Sequence, residues 1–394
     1  MRTVLTAEKL WNGTSLVDHP VVVIENGRIE SIDSRTAAEL PATPEGQVFD
    51  FPGATLSPAF FDIHIHGAAG HDVMEATPEA LTTMGRLLAS HGTGSYLATT
   101  VTAPIDATLR SLSGLARLIA HPPDSAQTAT WPIGIHLEGP FLSHSKRGVH
   151  PPALLLDPDI ALFDRLYEAA EGHIRLITLA PELPDALEFA AHATSRGVRV
   201  SLGHSDATAA ETRAAIAAGA VSATHTFNAM RPLDHREPGI LGIVLTDDSL
   251  FAELICDGIH NTPEMVKIWW RCKGPERAIL ITDAMSATGM PDGAYQLGGF
   301  TVQVANGRAT LGDVLAGSVL TLDKALTNFM AFTGGTLEQG LRLLTANPAA
   351  MTGFSNQAGS LKAGQPANLV AVDSSGKLAA SFLNGWKTPT LLCQ

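Results

Sequence analysis

Residues 60–70 read FFDIHIHGAAG, an apolar run that ends in two histidines one residue apart and then in glycines. Side chains alternate faces along a strand, so His64 and His66 project the same way, about 7 Å apart along the chain. Two imidazoles placed like this can share a metal ion. They can equally be two unrelated polar residues at a strand end, and the pair alone leaves both readings open. Further ligands have to come from elsewhere in the chain. Glu138 (in HLEGP), His204 (LGHS), His225 (ATHTFNAM), Asp257 and His260 (CDGIH) and Asp283 (ITDAM) each close or follow another apolar run. A lone histidine at such a place is ordinarily a hydrogen-bonded structural residue, and His136 and His173 keep that reading. Several histidines and acids gathered at strand ends are different, because an apolar core does not select unpaired charge that is costly to bury.

Imidazole and carboxylate donors without thiolate suit a divalent ion, zinc as the first expectation and iron, manganese or cobalt as alternatives. Such an ion with open positions lowers the pKa of a bound water towards roughly 7, so hydrolysis is the natural chemistry. A hydrolase of this kind also needs a group that carries a proton to the leaving atom. Asp283, at the end of the last run, is the candidate.

Eight short apolar runs position these residues: 58–67, 93–102, 132–139, 174–182, 198–205, 221–228, 251–258 and 278–285. Alanine- and leucine-rich helical stretches such as 78–90, 105–120, 184–195 and 207–218 lie between most of them. Continuous apolar strands alternating with helices predict a parallel sheet. Eight such units suit a (β/α)8 TIM barrel, whose strand C-termini open onto one face, where active sites sit. An open doubly wound sheet is the alternative, disfavoured because no glycine-rich dinucleotide fingerprint follows the first strand. Residues 1–56 and 360–394 differ in texture, with short strands and Asn-Gly or Pro-Gly turns. They are expected to pair into a small β-sandwich domain, leaving 57–359 as the barrel.

The bulk composition narrows the classes. The chain has 394 residues, 45% of them hydrophobic and 16% charged, which supplies a large core. A net charge of -13 argues against nucleic acid or an anionic membrane as partner. Cys256, Cys272 and Cys393 form no CxxC pair, so neither a disulfide framework nor a cysteine zinc site is indicated. No apolar segment of signal-peptide or membrane-spanning length is present, and a cytoplasmic protein is expected.

At these residues the sequence resembles the amidohydrolase superfamily, and within it the N-acetylglucosamine-6-phosphate deacetylase family. HxH on the first strand, single histidines on the fifth and sixth and aspartate on the eighth carry the broad likeness. Longer strings carry the narrow one, among them HLEGPF (136–141), RGVHPP (147–152), GHSDA (203–207), THTFNAMRPLDHREPG (224–239) and LAGSVLTLDKAL (315–326). The likeness runs from about residue 50 to the end. It implies Glu138, His204 and His225 as principal metal ligands, Asp283 as catalytic acid/base, and His150 as the residue that polarises the acetyl carbonyl and contacts the sugar. It implies Asn228, Ala229, Arg236 and His260 as phosphate and sugar contacts, with the arginine able to come from a neighbouring subunit, hence a homodimer. Relatives differ at the first-strand positions, and some hold a single metal. His64 and His66 therefore imply a second site with Asp283 and a bridging Glu138, so that one or two divalent ions per subunit are expected. The polar loop SHSKRGVHPP is a candidate lid. The expected activity is removal of the acetyl group from N-acetyl-D-glucosamine 6-phosphate. Other readings are the galactosamine epimer, another amidohydrolase reaction, or a non-catalytic scaffold.

Overall fold

The computed structural model describes residues 2–35 and 46–389, so Cys393 and the outermost parts of both terminal segments lie outside the described residues. Eight parallel strands pair in chain order: β1 (Phe60–Ile65), β2 (Thr93–Thr100), β3 (Trp131–Glu138), β4 (Ile174–Leu179), β5 (Arg199–Leu202), β6 (Ala220–Ala223), β7 (Phe251–Ile255) and β8 (Ala278–Ile281). Each leads to a helix: α1 (Pro78–Ser90), α2 (Ile105–Ala120), α3 (Ile160–Ala169), α4 (Ala186–Ser195), α5 (Ala209–Ala217), α6 (Gly239–Thr246), α7 (Pro263–Arg277) and α8 (Leu322–Thr333). This is the (β/α)8 barrel. The strand positions follow from composition. All six residues of β1 are buried, as a strand covered on both faces requires, and burying Phe60 or Phe61 contributes about 1.5–3 kcal/mol each. The helices bear local signals too. Thr77 caps α1 through the Ala80 N–H at 3.2 Å, with Pro78 in the first turn. Thr208 and Glu211 form a capping box on α5.

The seam between β1 and β8 closes at the C-terminal ends. The Asp283 N–H donates to the His64 carbonyl at 2.9 Å, and the His66 N–H to the Ala284 carbonyl at 2.8 Å. Below them the buried Asp62 carboxylate accepts from the Thr282 hydroxyl at 2.6 Å and clasps the two strands together.

A second sheet joins both ends of the chain. Arg2–Trp11 runs parallel to Gln47–Pro58, which pairs antiparallel with Leu369–Asp373. Leu5, Leu10, Val22, Leu56, Leu369 and Phe382 form a core there that is distinct from the barrel's. A third element has no counterpart in the sequence reading. Gly293–Leu297, Phe300–Ala305, Arg308–Leu311 and Val314–Leu315 make a four-stranded antiparallel sheet between β8 and α8, whose Leu297, Val302 and Ala309 share a small core with Met285 and Ala287.

Candidate metal centre

The functional side chains leave the barrel where strands give way to loops, and the backbone is bent sharply to present them. His204, His225 and Asp283 follow β5, β6 and β8 and have φ of 47°, 29° and 51°. Left-handed backbone at non-glycine residues costs about 1–3 kcal/mol each and persists where the surroundings over-determine it.

Among the described residues two groups of donor atoms stand close enough to hold an ion: His64, His66 and Asp283, and Glu138, His204 and His225, each within 4.8 Å of one another and all buried. Glu138 belongs to both neighbourhoods. Its Oε1 lies 3.2 Å from His225 Nε2, 3.3 Å from His204 Nε2 and 3.5 Å from His64 Nε2. Its Oε2 lies 3.3 Å from His66 Nε2 and 3.6 Å from His150 Nε2. Asp283 Oδ1 is 3.2 Å from His66 Nε2 and 3.5 Å from His64 Nε2. The rings of His64 and His66 are 5.2 Å apart at their centroids.

The donor set fits a cation. His66 Nδ1 is 3.0 Å from the Thr99 carbonyl and His204 Nδ1 is 2.9 Å from the Lys146 carbonyl. Carbonyls only accept, so these nitrogens carry the proton and a neutral ring turns the Nε2 lone pair inward. His64 Nδ1 faces the Glu253 carboxylate at 3.3 Å with the same result. His225 and His204 present Nε2 to each other at 3.1 Å, a contact that a shared ion between lone pairs explains.

Charge points the same way. Burial alone would raise Glu138, but the surrounding imidazoles, His64 foremost, hold its carboxyl well below the usual range. Asp283 is likewise held down by His64 and His66 against its burial. Burial alone would lower His66, yet its contacts with Asp283 and Glu138 raise it to about 9. His64 is raised well above its ordinary value by the same two acids. The pocket draws in positive charge.

His150 is wired the other way. Its Nδ1 is 2.7 Å from the Thr102 hydroxyl and accepts weakly from the Thr102 N–H at 3.4 Å. The neutral ring therefore carries its proton on Nε2, the atom nearest Glu138, and burial pushes its pKa down to about 4. Gly139, at φ 79°, leaves room for Thr102, whose hydroxyl oxygen would lie 2.0 Å from any Cβ there. The loop bearing His150 packs on the cluster, since a Cβ at Gly148 would meet His204 Cε1 at 3.2 Å.

Other sequence candidates lie around this core. His260 holds Asp257 through Nδ1 at 2.7 Å. Asn228 Nδ2 donates to the His225 carbonyl at 3.3 Å, and the Ala229 carbonyl accepts from the Ser205 N–H at 3.0 Å. Arg236 stands on an exposed loop and takes part in no hydrogen bond or ion pair of the cluster; its N–H donates to Asp234 at 2.8 Å. His136 is buried against Thr178 at 2.8 Å and stacks edge-on against His64, while His173 is half-buried at the start of β4. Cys256 is fully buried. Sequence reasoning missed Asp62, Thr102, Glu182 and Glu253. Glu182 fastens the loop after β5, accepting from Ser205 Oγ at 2.8 Å and from the Asp206 N–H at 2.6 Å. A carboxylate inside an apolar strand, as in FAELI, was the available signal for Glu253.

Comparison with known proteins follows the same lines. A model of the amidohydrolase family matches residues 55–392. An N-acetylgalactosamine-6-phosphate deacetylase of Escherichia coli O157:H7 is 38% identical over 98% of this chain and 99% of its own. An N-acetylglucosamine-6-phosphate deacetylase of Vibrio furnissii is 36% identical over 96% of this chain and 93% of its own. Among solved structures, an N-acetyl-D-glucosamine-6-phosphate deacetylase variant from Mycobacterium smegmatis, in complex with N-acetyl-D-glucosamine-6-phosphate, superposes with a TM-score of 0.89 at 36% identity, covering 98% of this chain and 99% of its own.

Proposed function

The chain belongs to the amidohydrolase family, and from that premise we propose that it removes the acetyl group of N-acetyl-D-glucosamine 6-phosphate, giving D-glucosamine 6-phosphate and acetate. The observation that carries this reading is the buried cluster in which Glu138 joins both donor groups while Asp283 and His150 stand at its edge. Glu138, His204 and His225 would hold one divalent ion, zinc as the first choice with iron, manganese or cobalt as alternatives, and His64, His66 and Asp283 a second. Such an ion supplies Lewis acidity: it polarises an amide carbonyl and makes water nucleophilic at neutral pH.

The chain's own groups do the rest. His150, with its proton on Nε2, donates to the amide oxygen as negative charge develops there. Asp283 is ionised at neutral pH, takes a proton from the attacking water and returns it to the departing amine. The amide C–N bond breaks and the amine leaves neutral as acetic acid forms with one oxygen from water; the acid then passes its remaining water proton to the amine or solvent, giving acetate. Asn228, Ala229, His260 and Arg236 are the proposed contacts to sugar and phosphate. A guanidinium makes strong charge-assisted hydrogen bonds to phosphate. Exposed Arg236 suits a role completed across a homodimer, reaching the pocket of the neighbouring copy.

The likeness to a relative named N-acetylgalactosamine-6-phosphate deacetylase favours one second reading, the same reaction on N-acetylgalactosamine 6-phosphate. Acetate release from both 6-phosphates and from the unphosphorylated sugars separates the possibilities. Fast turnover of the glucosamine 6-phosphate, with a large loss when the phosphate is removed, is expected. Preference for the galactosamine epimer transfers the assignment, and equal turnover without phosphate contradicts the proposed phosphate contacts.

A further inference from the structure

Glu253 sits in the middle of β7, an otherwise apolar strand, and is fully buried. Its Oε2 lies 3.3 Å from His64 Nδ1 and accepts from the His225 backbone N–H, also at 3.3 Å. Among the described residues its Oε1 has no hydrogen-bond partner. No step of the proposed reaction uses this residue. A buried carboxylate with half of its capacity unspent is costly, so its retention at the back of the pocket calls for a compensating gain.

The contacts show what it could gain. The two rings braced by backbone, His66 on the Thr99 carbonyl and His204 on the Lys146 carbonyl, keep their orientation whatever the side chains around them. His64 has no such carbonyl. Among the described residues its Nδ1 meets the Glu253 carboxylate alone, while its Nε2 faces Glu138 and Asp283, each at 3.5 Å. Remove the carboxylate and nothing at Nδ1 selects the tautomer that turns the Nε2 lone pair inward. Glu253 also brings a third carboxylate to a pocket that already holds Glu138 and Asp283, and a single divalent ion supplies only two charges.

The geometry points to Glu253 as a positioning residue that fixes the ring of His64 and thereby sets the affinity of the His64–His66–Asp283 group for a divalent cation. This rests on the pocket being a metal centre. Carboxylates behind metal-bound histidines typically change affinity by about 10–100-fold when removed. The effect should be selective, because the Glu138–His204–His225 group meets Glu253 only through the His225 backbone N–H.

The test is zinc binding by the metal-free protein, wild type against Glu253→Gln, resolved into its two sites by competition with a chelator. The wild type should bind two zinc ions. The variant should hold one with little change and the other about 10–100-fold more weakly, while its metal-free melting temperature stays near the wild type's. Equal weakening of both ions, or of neither, overturns the role. A wild type that binds one ion overturns it as well, and one that binds none overturns the metal centre itself. Nitrogen-15 NMR of zinc-loaded wild type decides the matter even if the variant does not fold. His64 protonated on Nδ1 with zinc on Nε2 supports the role, and zinc on Nδ1 contradicts it.

Discussion

The two donor groups are built on different parts of the barrel. Glu138, His204 and His225 follow or end β3, β5 and β6, inside an unbroken succession of paired strands. His64, His66 and Asp283 come from β1 and β8, the two strands that must find each other across about 220 residues of chain to close the ring. The first group inherits its geometry from ladders formed between near neighbours in sequence. The second depends on the seam: the Asp62–Thr282 clasp, and the His64 and Ala284 carbonyls that tie the strand ends together. A shared carboxylate, Glu138, then couples a group held by local pairing to one held by closure. A disturbance at the seam should reach the His64 group first.

The largest effect is expected where the seam-borne group enters the chemistry. Asp283→Asn keeps the size of the side chain but removes the base. In protein whose remaining metal content has been verified, kcat should fall by about 10²–10⁴-fold. A fall of less than tenfold would take the proton shuttle away from Asp283 and leave it a ligand only.

Cutting the clasp separates the groups directly. Asp62→Ala leaves the Thr282 hydroxyl and N–H without their partner in a buried site, which costs about 1–3 kcal/mol. Urea unfolding should show that loss, and zinc affinity should drop more at the His64 group than at the Glu138 group. Equal losses would mean that the two groups do not differ in their dependence on closure.

A smaller effect distinguishes them by protons. In the metal-free protein His66 is raised to about 9 and His64 well above its usual value. An ion entering their group must displace those protons. Its affinity should therefore rise with pH across the neutral and mildly alkaline range, with proton release at pH ~7.5 detectable by calorimetry in buffers of different ionisation enthalpy. Ion uptake at this group with no proton release would contradict the raised values.

Much of this was legible because the barrel writes itself into composition. Each strand is a short run with no need for a polar face, and several runs stop at or just before a residue the pocket uses, as AILI stops before Thr282 and Asp283. Where the code changes, reading failed. The sheet Gly293–Leu315 interrupts the βα alternation, although FTVQVANGRATL alternates and turns at Asn306–Gly307, with φ of 52° and 75°, the signature of a tight hairpin. Asp62 and Glu253 each showed in the sequence only as one acid inside an apolar strand, and only the folded barrel shows what each faces: Thr282 across the seam for Asp62, His64 for Glu253. Arg236 shows the opposite limit: among the described residues its exposed guanidinium has no hydrogen-bond or ion-pair partner, so its assignment rests on likeness and on a neighbouring copy.

The most direct measurement is acetate release from N-acetyl-D-glucosamine 6-phosphate by protein stripped with a chelator, before and after zinc is restored to stoichiometry. The account predicts no turnover without the ion and recovery as the Glu138–His204–His225 group fills. Undiminished turnover by verified metal-free protein, or none after the ion is bound, would contradict it.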